Sequence, residues 1–139
     1  MAVDWGERRI GLALSDEMQI LAQPLTTLTR RAGKRFPMAQ LLQLITTHNV
    51  VGVIVGLPLD ESGAEGDAAH AARALADDIK SRVGALEVTM WDERMTTARV
   101  LAAVREMGGK TRGRKEDVDA MAAALLLQHY LDAKKGTAL

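Results

Sequence analysis

Three acidic residues, far apart along the chain, stand where secondary-structure elements are predicted to begin or end. Asp4 follows the first apolar segment, Glu93 follows the apolar segment that ends at Trp91, and Asp119 falls in the first turns of the last predicted helix. Hydrolysis of a phosphodiester bond by two metal ions needs several carboxylates from different elements, because one carboxylate cannot hold and neutralise two divalent ions. The three acids could form such a site if the fold brings their segments together.

Each acid also has a simpler interpretation when it is taken alone. The segment Asp4-Trp5-Gly6 is typical of a turn after a strand. The segment Asp92-Glu93-Arg94, which precedes Thr96, could begin a helix in which a threonine caps the end and acids lie near the positive end of the dipole. Asp119 could be one of several solvated acids in a first helical turn. The argument for a site therefore depends on the three residues together.

Basic residues are concentrated in two segments, although the chain as a whole carries no net charge. The first cluster is Arg30, Arg31, Lys34 and Arg35, and the second is Lys110, Arg112, Arg114 and Lys115. Either cluster could bind phosphates or be a solvated loop. The second is the stronger prediction because it is rich in glycine and leads directly to Asp119. Arg94 is either a phosphate contact or a partner for Asp92.

Length and composition restrict the classes of protein to consider. A chain of 139 residues that is 47% hydrophobic and 26% charged is expected to form one compact domain, residues 1–139. The absence of cysteine excludes disulfides, thiolate nucleophiles and Cys-ligated metals. No apolar run approaches the roughly 20 residues of a membrane span, and the first residues do not resemble a secretion signal. We therefore expect a cytoplasmic protein that does not contact membranes.

The elements that must position the acids can be predicted from hydrophobic periodicity. Short strands are expected at Met1–Trp5, Ile10–Ser15 and Gln23–Thr29, where close spacing favours an antiparallel meander. Further along, a helix is expected from Pro37, with apolar residues at helical spacing as far as Ile45. A buried strand, a second helix and a fifth strand are then expected at 50–55, 68–83 and 86–91. Two last helices are predicted at Thr97–Met107 and Glu116–Lys134. The result is an α/β fold with a mixed sheet of about five strands and helices on its faces.

Several other residues are assigned to packing and not to chemistry. The methionines Met90, Met95, Met107 and Met121 are predicted to fill the core. His129 lies on the same helical path as Met121, and we expect it to be partly buried or interfacial and not catalytic.

Four motifs together resemble one known family. The first motif runs from Asp4 to Asp16 and begins Asp4-Trp5-Gly6-Glu7-Arg8-Arg9-Ile10-Gly11. The other three are Val55-Gly56-Leu57-Pro58, Asp92-Glu93-Arg94-Met95-Thr96-Thr97, and Lys115 through Ala123. In this order, and over almost the whole chain, the sequence resembles the YqgF/RuvX-type family of pre-16S ribosomal RNA nucleases, also called Holliday-junction resolvases. The resemblance implies an RNase H-like fold with helices on both faces of the sheet. It also implies Mg²⁺- or Mn²⁺-dependent hydrolysis at a two-metal site with Asp4, Glu93 and Asp119 as the acidic triad.

Three functions follow as hypotheses. The leading one is a metal-dependent nuclease acting on structured RNA in 5′-end processing of pre-16S ribosomal RNA, with resolution of branched DNA as its alternative. A symmetric resolvase would need a homodimer, whereas a persistent monomer would favour RNA processing. Nucleotide binding of the sugar-kinase or actin type is disfavoured, because those proteins use two related domains. A non-catalytic module of transcription or ribosome assembly is the third hypothesis, and retention of the three acids argues against it.

Overall fold

A single mixed sheet forms the centre of the fold. The computed structural model describes residues 1–31, 33–95 and 115–137. The strands β1 (Ala2–Asp4), β2 (Arg9–Ser15) and β3 (Ala22–Thr29) form an antiparallel meander, as predicted. The strand β4 (Gly52–Leu57) is parallel to β1 and to β5 (Glu87–Asp92). In the described part of the chain the strand order is β3-β2-β1-β4-β5.

Three helices accompany the sheet within the described residues. Their bounds are Met38–Thr47 for α1, Asp67–Arg82 for α2 and Lys115–Thr137 for α3. Pro37 directly precedes α1, whose buried side chains recur at helical spacing, at Met38, Leu41 and Ile45. The helix α2 connects β4 to β5, so these two parallel strands are joined by a helical crossover.

The two faces of the sheet carry separate cores because strand side chains alternate between faces. Val3, Ile10 and Leu12 lie in one core, which also contains buried residues of α1 and α2. Ala2 and Ala13 lie in the other core, against buried residues of α3. Alanines such as those at 122 and 123 are completely buried, which lets α3 lie close to the sheet. The predicted helices on both faces are thus confirmed.

The prediction of core methionines is wrong at Met121. This residue is 43% exposed, because it lies on the side of α3 turned away from the sheet, while its neighbours Ala120 and Ala122 are buried. Met90 does pack against the first core, as expected. Met107 and the helix predicted at 97–107 lie outside the described residues. Among the helices that the structure describes, none combines the length and apolar character needed to cross a membrane.

Candidate active site

Asp4 lies at the centre of the candidate site. It is the last residue of β1 and is only 6% exposed. On one side it is the cross-strand partner of Gly11 in β2. On the other side, the pairing of Val3 with Val55 makes Gly56 of β4 its next neighbour. By strand alternation Asp4 shares the face of Ala2, which is the face that α3 covers.

Gly11 lets α3 bring Asp119 against the sheet. A Cβ atom at position 11 would overlap the backbone carbonyl of Asp119. A residue with a side chain would therefore push the first turns of α3 away from β2. Because Gly11 has no side chain, Asp119 can lie directly against β2, the strand that pairs with β1 at Asp4.

Gly56 has the same relation to Glu93. This acid begins a short 3-10 turn, Glu93–Met95, immediately after β5. A Cβ atom at position 56 would be 2.8 Å from Oε1 of Glu93 and 3.0 Å from Cδ2 of Leu126 in α3. The Glu93 carboxylate consequently lies over β4, on the same face of the sheet as Asp4. All three predicted acids are thus at one end and on one face of the sheet.

Asp119 makes an ion pair that the sequence analysis did not anticipate. Its Oδ2 atom accepts a hydrogen bond of 2.6 Å from Nε of Arg9. The predicted strand Ile10–Ser15 leaves Arg9 out, whereas Arg9 is the first residue of β2. The alternation Arg9, Gly11, Ala13 is the signal that could have identified it, because these three residues share the face that α3 covers.

The acids are neighbours without forming a ready-made cluster of ligands. Within residues 1–31, 33–95 and 115–137, no three Asp, Glu or His side chains are grouped closely enough to hold a metal ion as they stand. Asp119 is instead engaged by Arg9.

Arg94 is bound by Asp92, which is one of the two alternatives left open by the sequence. Its guanidinium donates through Nε, at 3.1 Å, and Nη2, at 2.9 Å, to Oδ2 of Asp92, and its backbone N–H donates to Oδ1. The hydrogen bond from the Arg94 side chain lowers the pKa of Asp92 below its usual value. The same guanidinium lies close to Gly63 in the loop after β4. These contacts fix the turn that carries Glu93.

The first basic cluster begins at the same end of the sheet as the acids. Arg30 directly follows β3, and its Nε donates to the backbone carbonyl of Glu7 at 2.9 Å. Its backbone N–H donates to the carbonyl of Arg8, and Arg31 is exposed. Of the second cluster, Lys115 begins α3, while Lys110, Arg112 and Arg114 lie outside the described residues.

A cavity of about 390 Å³ lies elsewhere, at the opposite end of the sheet. Its lining includes Met1, Ser15, Gly52 and Glu87, which stand at the ends of the strands remote from Asp4, Gly56 and Glu93. The cavity therefore does not belong to the acidic site.

Comparison with known proteins identifies the family. Residues 1–133 match the family described as RuvX: Holliday junction resolvase. The chain belongs to the RuvX family. This confirms the resemblance inferred from the four motifs, and it assigns the chain to a family of nucleases, which are hydrolases.

Individual relatives agree with this assignment of the RuvX chain. It is 37% identical over 134 residues to a protein of Acetivibrio thermocellus named "Putative pre-16S rRNA nuclease", covering 96% of this chain and 95% of that one. A protein of the same name from Koribacter versatilis is 40% identical over 134 residues, with 96% and 86% covered.

Solved structures confirm the predicted fold of this RuvX protein. Thermus thermophilus RuvC in complex with a Holliday junction substrate superposes with a TM-score of 0.56 at 19% identity, covering 97% of this chain and 94% of that one. The fowlpox virus resolvase, solved with Holliday junction DNA, gives a TM-score of 0.51 at 11% identity, with 95% of each chain covered. At these identities the likeness concerns the fold, which is the RNase H-like fold of RuvC.

Proposed function

We propose that this RuvX chain is a divalent-metal-dependent nuclease whose reaction centre is formed by Asp4, Glu93 and Asp119. The observation that carries the proposal is the position of Asp4 between Gly11 and Gly56. These are the two residues against which Asp119 and Glu93 are packed. Three carboxylates from distant segments therefore share one end of one face of the sheet.

The donor set and the space around it suit a hard divalent cation. Asp4, Glu93 and Asp119 offer oxygen atoms, which Mg²⁺ and Mn²⁺ prefer to nitrogen or sulfur. The missing side chain at position 11 leaves room for the backbone of Asp119, and the one at position 56 leaves room for the Glu93 carboxylate. When bound, such ions would activate water and stabilise the leaving oxygen. The protein's own part is to hold the carboxylates in a fixed relation through β1, the turn after β5 and α3.

We further propose that the substrate is the 5′ region of pre-16S ribosomal RNA. The proposal is supported by the full-length similarity to relatives that carry that name. A nuclease acting on this precursor would work in the cytoplasm, which is the location expected from the sequence. We also propose that residues of the two basic clusters contact phosphates, namely Arg30, Arg31, Lys110, Arg112, Arg114 and Lys115.

A second candidate substrate is the four-way DNA junction. It is favoured by the description of the matching family and by the solved complexes of RuvC and of the fowlpox resolvase with junction DNA. A resolvase cuts two strands symmetrically and would need two copies of the site in a homodimer.

Cleavage assays on the two substrates test the proposal directly. Labelled pre-16S RNA and a four-way DNA junction are incubated with the protein in Mg²⁺, Mn²⁺ or chelator. We expect metal-dependent cleavage of the RNA, and loss of that cleavage in Asp4→Asn, Glu93→Gln and Asp119→Asn with the fold retained. Asp77→Asn is the matched control, because Asp77 is exposed on α2.

Other outcomes would redirect or contradict the proposal. Preferential cleavage of the junction by a dimeric protein would favour the resolvase. Full activity of Asp119→Asn would contradict the assigned acids. Absence of cleavage of either substrate, with binding retained, would favour the non-catalytic module.

A further inference from the structure

The ion pair between Arg9 and Asp119 joins two residues that are 110 positions apart in the sequence. At 2.6 Å, the contact from Nε to Oδ2 is a short, charge-assisted hydrogen bond. The side chain of Asp119 is only 19% exposed, while that of Arg9 is 40% exposed. The Arg9 side chain is therefore more exposed to solvent than the carboxylate that it binds.

The packing of α3 on β2 fixes this pair. Arg9 and Gly11 are two residues apart on β2 and so point to the same face of the sheet. Because the backbone of Asp119 rests on Gly11, its carboxylate is held within reach of Arg9. The pair is thus tied to the same glycine that positions Asp119 beside Asp4.

We propose that Arg9 is an internal counter-ion that competes with a divalent cation for the carboxylate of Asp119. The inference rests on the proposed function, in which Asp119 is a metal ligand. An arginine is always protonated in proteins, so Arg9 remains a positive charge at every pH of interest. It offsets the negative charge of the acids before a cation binds, and it must weaken its bond to Asp119 when a cation binds there.

This competition makes Arg9 a positioning residue that sets metal affinity. A cation that binds the Asp119 carboxylate weakens the ion pair with Arg9. By linkage, the ion pair weakens the binding of the cation by the same factor. Removing the guanidinium should therefore strengthen cation binding. If the role of Arg9 were only structural, its replacement would leave the affinity for the cation unchanged or lower it, because disturbing a metal ligand weakens binding.

Calorimetric titration with Mn²⁺ alone, on the full chain without nucleic acid, tests the inference. We expect Arg9→Gln to bind Mn²⁺ roughly fivefold more tightly than the parent, a partial effect because the pair is partly exposed. Arg9→Lys should stay close to the parent. The matched control is Arg8→Gln, which removes the same charge from an exposed neighbouring residue. It should change the affinity by much less than Arg9→Gln.

A double-mutant cycle separates this effect from a general change in charge. In the Asp119→Asn background, Arg9→Gln should no longer strengthen Mn²⁺ binding, because the competing contact is gone. The rise in melting temperature on adding Mn²⁺ gives a second readout. It is measured for each variant against its own chelated form, so a less stable Arg9→Gln protein remains informative.

The outcomes distinguish this inference from the proposed function. If the parent binds Mn²⁺ through Asp119 but Arg9→Gln binds it equally or more weakly, the competition is overturned and the nuclease proposal stands. If Arg8→Gln strengthens binding as much as Arg9→Gln, the specific pair is likewise overturned. If the parent binds no Mn²⁺ that depends on Asp119, the proposed metal site and the inference both fail.

Discussion

At the scale of single residues, the candidate site depends on two positions that have no side chain. Gly11 and Gly56 flank Asp4 on neighbouring strands, and each gives space to one of the other acids. The two glycines differ in what a methyl group would meet. At Gly11 it would overlap helix backbone, which cannot easily move, whereas at Gly56 it would first meet the end of the Glu93 side chain.

Gly56→Ala should therefore impair cleavage far more than folding. The new methyl would displace the Glu93 carboxylate, and a shift of about 1 Å in a catalytic group can cost roughly 100-fold in rate. The free energy of unfolding should fall by only about 1 kcal/mol, since a flexible side chain absorbs the strain. Rates of cleavage and urea denaturation would measure the two effects.

Gly52→Ala is the matched control on the same strand. A Cβ atom there would be 3.6 Å from the carbonyl oxygen of Glu87, an ordinary contact. Both activity and stability should stay close to those of the parent. Equal activity of the two alanine variants would contradict the role given to Gly56.

The placement of the three acids at the ends of elements could be predicted from sequence, whereas the ion pair of Arg9 could not. Asp4, Glu93 and Asp119 stand in motifs at predicted element ends. The predicted strand begins at Ile10 and so excludes Arg9 by one residue, and a shift of one residue decides whether a side chain belongs to an alternating face. An ion pair across 110 residues also requires knowing where α3 crosses the sheet.

At the scale of elements, the turn after β5 is fixed by its own ion pair. Asp92 accepts hydrogen bonds from both the side chain and the backbone of Arg94, one residue beyond Glu93. Because these bonds hold the pKa of Asp92 below its usual value, they contribute stability above about pH 4. This contribution is lost as the pH falls through the lowered pKa.

Asp92→Asn should accordingly show a pH-dependent loss of stability. We expect its melting temperature to be lower than that of the parent at pH 6 and the difference to shrink as the pH falls below about 4. Asp77→Asn again provides the control. A difference that stays constant down to pH 2.5 would show that the charge of Asp92 is not what stabilises the turn.

Element types were predicted better than their ends. Hydrophobic periodicity identified the five strands that the described residues form, and a mixed sheet with an antiparallel meander was also expected. The observed ends of a strand differ from the predicted ends where exposure to solvent outweighs the residue's preference for strand. Val51 is β-branched but 75% exposed, and β4 begins after it. Met121 was misassigned because small residues fill the sheet-facing side of α3, so its larger apolar side chain points outward.

At the scale of the whole molecule, two basic pairs lie at opposite ends of the sheet. Arg30 and Arg31 follow β3 at the end that carries the acids, since the last residue of β3, Thr29, pairs with Arg9. The last turn of α2 also holds basic residues, Lys80 and Arg82, but it leads to the start of β5, at the opposite end. A nucleic acid that reaches Asp4 should pass the first pair and not the second.

The salt dependence of binding can distinguish these surfaces. Each lost phosphate contact should reduce the log–log slope of affinity against salt by roughly 0.7 to 0.9. Binding is measured in the presence of Ca²⁺ to prevent cleavage. We expect a smaller slope when Arg30 and Arg31 are both replaced by alanine, and also when Lys110 and Arg112 are both replaced. The double alanine variant of Lys80 and Arg82 removes the same charge and should keep the slope of the parent.

The same measurements separate binding from chemistry. Asp119→Asn should retain the slope and most of the affinity while cleavage stops, because it removes a carboxylate and not a phosphate contact. If the Lys110 and Arg112 variant keeps the parent slope at several salt concentrations, the glycine-rich segment is a solvated linker, and the nucleic acid approaches along Arg30 and Arg31. If only the Lys80 and Arg82 variant flattens the slope, the substrate lies at the other end of the sheet, and the acids at Asp4 are not where it is cut.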